Sequence, residues 1–242
     1  MPSPAATNVT AATCGLPVRN DSAGYVILSI SLCCLVALVV AVRLLSKFVI
    51  GTTFGLDDLF TVFTALMRLP STVFSIQGLV LNGLGRDMWT LAFQQITDFT
   101  EIFYILEILY ICEISLLKLS ILFFFLRIFP QPRTRRIIWV TIFVVILYGL
   151  LFLFLAAFQC QPIDYFWTRW DGEHQGRCVN MSGREWSGGL GSVVLDVWMI
   201  GLVVSEIRHL NMHWKRKIAV GLMLSVGALY VAIPASFSDR HS

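Results

Sequence analysis

The chain has 242 residues, of which 57% are hydrophobic and only 14% charged, with a formal net charge of +3. A soluble domain carries about 25% charged residues, so this composition excludes a water-exposed globular enzyme domain and a nucleic-acid binder. The length leaves room for one helical domain, and the placement of the charges matters more than their small sum.

Six apolar stretches follow one another, at 25–42, 57–82, 100–126, 137–159, 188–207 and 217–236. Each approaches the roughly 20 apolar residues that a helix needs to cross a hydrocarbon core of about 30 Å. Lipid offers the backbone no hydrogen-bond partner, so such spans must be helical. The expected fold is all-α, a polytopic transmembrane helical bundle. It comprises an N-terminal tail over 1–23, a membrane domain over 24–237 and a short tail over 238–242.

The N-terminal tail holds two N-glycosylation acceptor patterns, Asn8-Val9-Thr10 and Asn20-Asp21-Ser22. It lacks the apolar core of a cleaved signal peptide, so the first span reads as a retained signal anchor. Arg43 and Lys47 follow that span, and Gly55-Leu56-Asp57-Asp58 opens the next. Acids in a first helical turn complement the positive end of the helix dipole. Along the second span Asp57, Thr61, Thr64, Arg68, Ser71 and Ser75 recur at three- and four-residue intervals and share one face. Pro70 is expected to kink that helix.

In the third span Tyr110, Glu113, Ser120 and Arg127 form one stripe, and Glu107 and Lys118 another. At about 1.5 Å of rise per residue, Arg68 lies roughly 17 Å and Glu113 roughly 20 Å from the basic end of the bundle. A charge stranded at that depth costs at least about 2.5 to 3.5 kcal/mol, so the two are expected to pair. The connection that follows is strongly basic, with Arg127, Arg133, Arg135 and Arg136. The fourth span is almost free of polar residues and is expected to face lipid. Cys160 and Cys178 bracket the largest loop, which also carries Tyr165, Phe166, Trp167 and Trp170, and Asn180-Met181-Ser182 is a third acceptor pattern. In the fifth span Ser192, Asp196 and Glu206 align, so spans two, three and five are expected to turn polar faces toward one another. Arg208, Lys215, Arg216 and Lys217 follow.

Ten of the 18 Lys and Arg residues fall in three alternate connections. The positive-inside rule puts these in the cytoplasm and the N-terminus outside, and all three glycosylation patterns then fall on the outer side. Cys160 and Cys178 would sit in an oxidising compartment, where a disulfide closing their loop contributes about 3 kcal/mol. Cys33, Cys34 and Cys112 lie within spans and read as packing residues. No cysteine pair has zinc or haem spacing. His174, His209, His213 and His241 lie in loops or at the tail, and no nucleophile and base stand at a motif spacing. Neither enzymatic activity nor a metal or cofactor is expected.

Several of these segments together carry a resemblance. They are Gly55-x-Asp57-Asp58, Tyr110 followed by Lys118-Leu119-Ser120-Ile121-Leu122 and Leu126-Arg127-Ile128-Phe129, then Phe158-x-Cys160-x-Pro162 with Trp167 and Cys178, and finally Asp196. In that order they resemble the fungal rhodopsin-domain family of integral membrane proteins, over about residues 20 to 225. Thr13-Cys14-Gly15-Leu16-Pro17 looks like the junction that follows an extracellular cysteine-rich CFEM module in some members, which would account for Cys14 as a residue whose partner lies elsewhere. The resemblance implies a seven-helix, receptor-like fold with an outer N-terminus, a plasma-membrane location and coupling to a G protein. Only six of the seven spans are found, the proline expected after Asp196 is missing, and the similarity fades after about Leu229. The chain therefore reads as a form truncated before the seventh helix. Retinal needs a lysine in the seventh helix, whereas the membrane-embedded lysine here is Lys118 in the third, so no retinal is expected.

The first functional expectation is a receptor or sensor for an extracellular ligand, with a lipid bilayer around it and a G protein at its basic side. The alternative is a small-solute or proton-coupled transporter using Asp196, Glu113, Arg68 and Lys118 as a relay. A third reading is a remnant without activity of its own.

Overall fold

The structure, a computed structural model, describes residues 22–51, 55–85, 91–170 and 174–209. The expected sixth span, Cys14, Asn8, Asn20, Lys215, Arg216 and Lys217 lie outside them. Helix α1 runs over Ser22–Ile50, α2 over Leu56–Val73, α3 over Phe93–Ile128 and α4 over Pro132–Ala157. A two-residue strand β1, Cys160–Gln161, a single turn α5, Tyr165–Thr168, and a second strand β2, Arg177–Cys178, precede α6, Met181–His209. Among the described residues five helices are long and apolar enough to cross a membrane: α1, α2 with its continuation to Val80, α3, α4 and α6.

These helices outrun the apolar stretches, most clearly in α3, which starts at Phe93 rather than near 100, and in α6, which starts at Met181 rather than near 188. Hydropathy marks only the part of a span that lipid surrounds, while the backbone ladder continues through Gln94, Gln95, Asp98 and Arg184 into the polar interface. At the end of α1, Gly51 adopts φ 70°, the left-handed conformation that closes a helix and that a side chain disfavours.

The chain divides into two compact units, one ending at Met181 and one beginning at Ser182. In the first unit α3 is the central element, packing against α2 on one side and α4 on the other, while α1 packs on α2. Lipid tails are as apolar as leucine, so close packing rather than exclusion of water joins these helices. On α4 the buried residues Thr134, Ile138, Thr141, Ile142, Val145 and Gly149 fall on one helical face. A Cβ added at Gly149 would come within 3.1 Å of Ser115 Cβ on α3, so the two helices pack closely there. The expectation that α4 faces lipid is thus half right. Trp139, Phe143, Leu147 and Phe154 are exposed, but the opposite face is a packed seam. Ring stacking joins α2 to α3 at Phe60 and Phe123, 5.1 Å apart, and an edge contact of 6.3 Å carries on from Phe123 to Trp139 of α4.

Pro70 lies inside α2, and the helix proceeds from Phe74 to Val80 as a π-helix. Proline removes one donor from the ladder and crowds the carbonyl of the preceding turn, and a π-helical turn commonly marks such a perturbed site. The hydroxyls of Thr64 and Thr72 donate to carbonyls four residues back, serving the backbone on either side of it.

The second unit consists, among the described residues, of α6 from Ser182 on. It carries Asp196 half-buried, and Met199 and Val203 buried.

Candidate functional site along α2 and α3

One end of the first unit holds a charge clasp. Asp57 and Asp58 are each 2% exposed at the start of α2. Arg43 Nη2 of α1 donates to Asp57 Oδ2 at 2.8 Å, and its Nε lies 3.5 Å from Asp58 Oδ1. Lys47 Nζ donates to Asp57 Oδ2 at 3.2 Å and also to Asp58. Arg127 Nη1 of α3 stands farther off, at 3.6 Å from Asp57 Oδ1 and 3.9 Å from Asp58 Oδ2. Two buried carboxylates are therefore shared among three cations from two other helices, which makes desolvation tolerable for all of them. The helix dipole explains only part of why acids stand here. Asp58 also accepts the Gly55 N–H at 3.0 Å, capping α2. Glycine at 55 leaves the room required: a Cβ there would run into the Asp57 carboxylate and come 3.4 Å from Arg127 Nη1.

One turn deeper the backbone itself is bound. Thr61 Oγ1 donates to the Asp57 carbonyl at 2.7 Å, Ser120 Oγ of α3 donates to the same carbonyl at 3.1 Å, and the two hydroxyls are 2.7 Å apart. Two hydroxyl protons serve three edges, so one edge is a contact without its own proton.

Near mid-span Arg68 Nη1 donates to Glu113 Oε2 at 3.2 Å, and the Ser71 hydroxyl donates to Glu113 Oε1. Glu113 is 8% exposed. This is the pairing that the depth count suggests, with Ser71 as an additional donor three residues along the same face of α2. Beyond it the Ser75 hydroxyl meets the Tyr25 hydroxyl of α1. Lys118 is 3% exposed in α3, Tyr110 is half-exposed, and Asp196 belongs to the other compact unit.

At the opposite end the loop after α4 is fastened to α3. Tyr104 donates to the Ala157 carbonyl at 2.7 Å, and its ring lies 5.3 Å from Phe166 and 6.0 Å from Trp167. Trp170 Nε1 donates to Thr97 at 3.2 Å. The amide of buried Gln159 donates to Glu107 Oε2 at 3.2 Å, while its carbonyl accepts from Val179 at 2.8 Å. Cys160 and Cys178 are bonded to each other and pair across β1 and β2. Cys33, Cys34 and Cys112 are free thiols.

In the sequence Arg43 and Lys47 read as topology signals only, although just ten to fourteen positions separate them from Asp57. Nor does the sequence single out Gln159, and it places Ser71 on the polar face without a partner. Ser71 was on the face already identified, whereas Gln159 sits in a loop where no periodicity operates.

Along α3 the residues Arg127, Ser120, Glu113 and Glu107 recur at intervals of seven, seven and six. By rise per residue that covers about 30 Å, the thickness of a hydrocarbon core. A helical bundle with spans this long and a polar seam between two of them is a multi-pass membrane protein. The chain belongs to the family described as the fungal rhodopsin domain, whose family model matches residues 42–236. A protein described as a SAT4 family membrane protein, from Emericella nidulans, is 27% identical over 170 residues, covering 66% of this chain and 44% of that protein. The chain thus spans less than half the length of that relative. No solved structure matches it. Gly55, Asp57, Asp58, Ser120 and Arg127, which carried the resemblance in sequence, meet in the clasp and the hydroxyl pair beneath it.

Proposed function

We propose that the chain is a receptor-like sensor of the plasma membrane, with its N-terminus and the Cys160–Cys178 loop outside. It takes an extracellular ligand at the aromatic end and engages a cytoplasmic G protein at the basic end, without enzymatic activity and without retinal. The observation that supports this is the polar seam between α2 and α3, which runs from the clasp through Ser120 to the Arg68, Ser71 and Glu113 cluster, while Glu107 farther along α3 is bonded to Gln159 beside the aromatic loop. A seam with charged groups at both ends gives a ligand event at one end a route to the other, provided that some of these contacts have two arrangements.

The test is nucleotide exchange on purified fungal G proteins by the chain in vesicles, with and without fractionated extracellular extracts. Stimulation by an extract that is lost in Glu113→Gln supports the receptor. The carrier is the second reading, because Lys118 and Glu113 are ionisable groups buried in mid-span. Proton-linked solute flux in the same vesicles without any exchange activity would favour it over the receptor.

A further inference from the structure

The clasp and the connection after it carry cations of two kinds. Arg43 and Lys47 are held tightly by Asp57 and Asp58, with hydrogen bonds of 2.8 and 3.2 Å to Asp57. Arg127 is 36% exposed along its side chain and no closer than 3.6 Å to either acid. Five residues beyond Arg127 α4 begins, and its first turns carry Arg133, Arg135 and Arg136, all exposed, with no acid among residues 127–136. Across 43–51, 55–58 and 127–136 there are six basic side chains and two acidic ones, an excess of four positive charges at one end of the bundle.

The excess is also badly placed for the helix that carries it. Three guanidinium groups stand at the positive end of the α4 dipole, where an anion is favoured and a cation disfavoured. Depth identifies what answers them. Trp139 is exposed beside the packed seam of α4, and tryptophan at a span's end marks the headgroup level. Arg136 and Arg135 lie three and four residues farther out, about 5 and 6 Å by helical rise, which puts their side chains among lipid phosphates.

We propose that Arg127, Arg133, Arg135 and Arg136 form a binding site for an anionic phospholipid whose headgroup bears phosphomonoesters, as a phosphorylated inositol lipid does. Guanidinium groups bind such phosphates bidentately, and several on one short connection favour a multiply charged headgroup over the single net charge of phosphatidylserine. The tightly clasped Arg43 and Lys47 take no part. Arg127, the loosest member of the clasp, is shared between the acids and the lipid. The site is independent of the receptor reading, and in a cell it needs the basic end at the cytoplasmic leaflet, where such lipids lie.

The experiment is native mass spectrometry of the full chain, purified and titrated in parallel with phosphatidylinositol bisphosphate, phosphatidylserine and phosphatidylcholine of equal chain length. Saturable binding of one bisphosphate lipid at least tenfold tighter than phosphatidylserine is expected. Each exposed arginine contributes about a fivefold effect, so the triple variant R133Q, R135Q and R136Q is expected to lose roughly a hundredfold in affinity. These residues are exposed, and a matched thermal melt establishes that the variant is folded. R169Q and R177Q, at the other end of the first unit, are expected to bind as the parent does. The proposal is overturned if the triple variant loses less than fivefold, if the control variants lose as much, or if the parent fails to distinguish the bisphosphate lipid from phosphatidylserine.

Discussion

Arg68 of α2 and Glu113 of α3, 45 positions apart in the chain, are joined by a hydrogen-bonded ion pair at 3.2 Å, and Ser71 occupies the second carboxylate oxygen. Both oxygens of Glu113 are thereby satisfied away from water, which a carboxylate at that depth requires. Arg68→Ala leaves the carboxylate with one neutral donor, and Glu113→Ala leaves a guanidinium without its anion. Each is expected to lower the folded yield and melting temperature sharply, at a cost of about 2.5 to 3.5 kcal/mol or more. The double change is expected to cost clearly less than the sum, with a coupling of about 1 kcal/mol. Additive losses in a melt of the four proteins would show that the two side chains do not interact.

The clasp allows charge and capping to be separated. Asp58→Asn keeps an acceptor for the Gly55 N–H but removes the charge that Lys47 and Arg43 share, with an expected loss of about 3 kcal/mol. Asp58→Ala removes the cap as well and is expected to cost about 1 kcal/mol more. Equal melting temperatures for the two variants would mean that the cap contributes nothing.

Much of this architecture was legible in the sequence because two periodicities are strong in it. Apolar length located the described spans, and the three- and four-residue recurrence of Asp57, Thr61, Arg68 and Ser71 located the buried face of α2. The ends of α3 and α6 were misplaced because hydropathy falls where a helix leaves lipid, not where its hydrogen-bond ladder stops. The packed face of α4 was invisible for a related reason. Ile138, Ile142 and Val145 are as apolar as the lipid-facing Phe143 and Leu147, so no contrast in polarity separates seam from lipid surface. The two closest partners of Asp57 and Asp58 were hidden because Arg43 and Lys47 lie on α1, whose apolar sequence gives no hint of which way its last turn points.

Gly149 is the small residue of the α4 face packed on α3. Gly149→Ala would place a Cβ 2.5 Å from Ser115 Oγ and 3.1 Å from its Cβ. Overpacking of this kind costs about 1 to 3 kcal/mol, and a lower melting temperature is expected. Ser115→Ala in the same chain removes the nearer atom and is expected to recover part of the loss. An unchanged melt in Gly149→Ala would place the two helices farther apart than described.

The Cys160 and Cys178 bond lies next to the hydrogen bond from Val179 to Gln159, and Gln159 in turn bonds Glu107, so it bears on α3 as well as on the loop. Mass mapping of a non-reduced digest is expected to find the two cysteines linked. Reduction, or Cys160→Ser with Cys178→Ser, is expected to loosen the loop and raise hydrogen exchange at Val179, whose amide donates to Gln159. Recovery of both as free thiols from oxidising preparations would remove the disulfide from the description.

Orientation is tested last because the receptor proposal needs it. Arg127, Arg133, Arg135 and Arg136 stand at one end of α3 and α4, and the Cys160–Cys178 loop at the other. The positive-inside rule predicts that the first end is cytoplasmic, so an epitope tag inserted after Gln131 is expected to be hidden in intact cells and exposed after permeabilisation. A tag after Ala6 and another after Arg169 are expected to be exposed in both conditions. One internal check is independent of tags. Asn180 flanks the disulfide loop, so any glycan found by endoglycosidase shift and lost in Asn180→Gln must lie on the same side as the Arg169 tag. Exposure of the Gln131 tag in intact cells, with the other two hidden, would invert the bundle and put the aromatic loop in the cytoplasm, leaving an extracellular ligand no access to it.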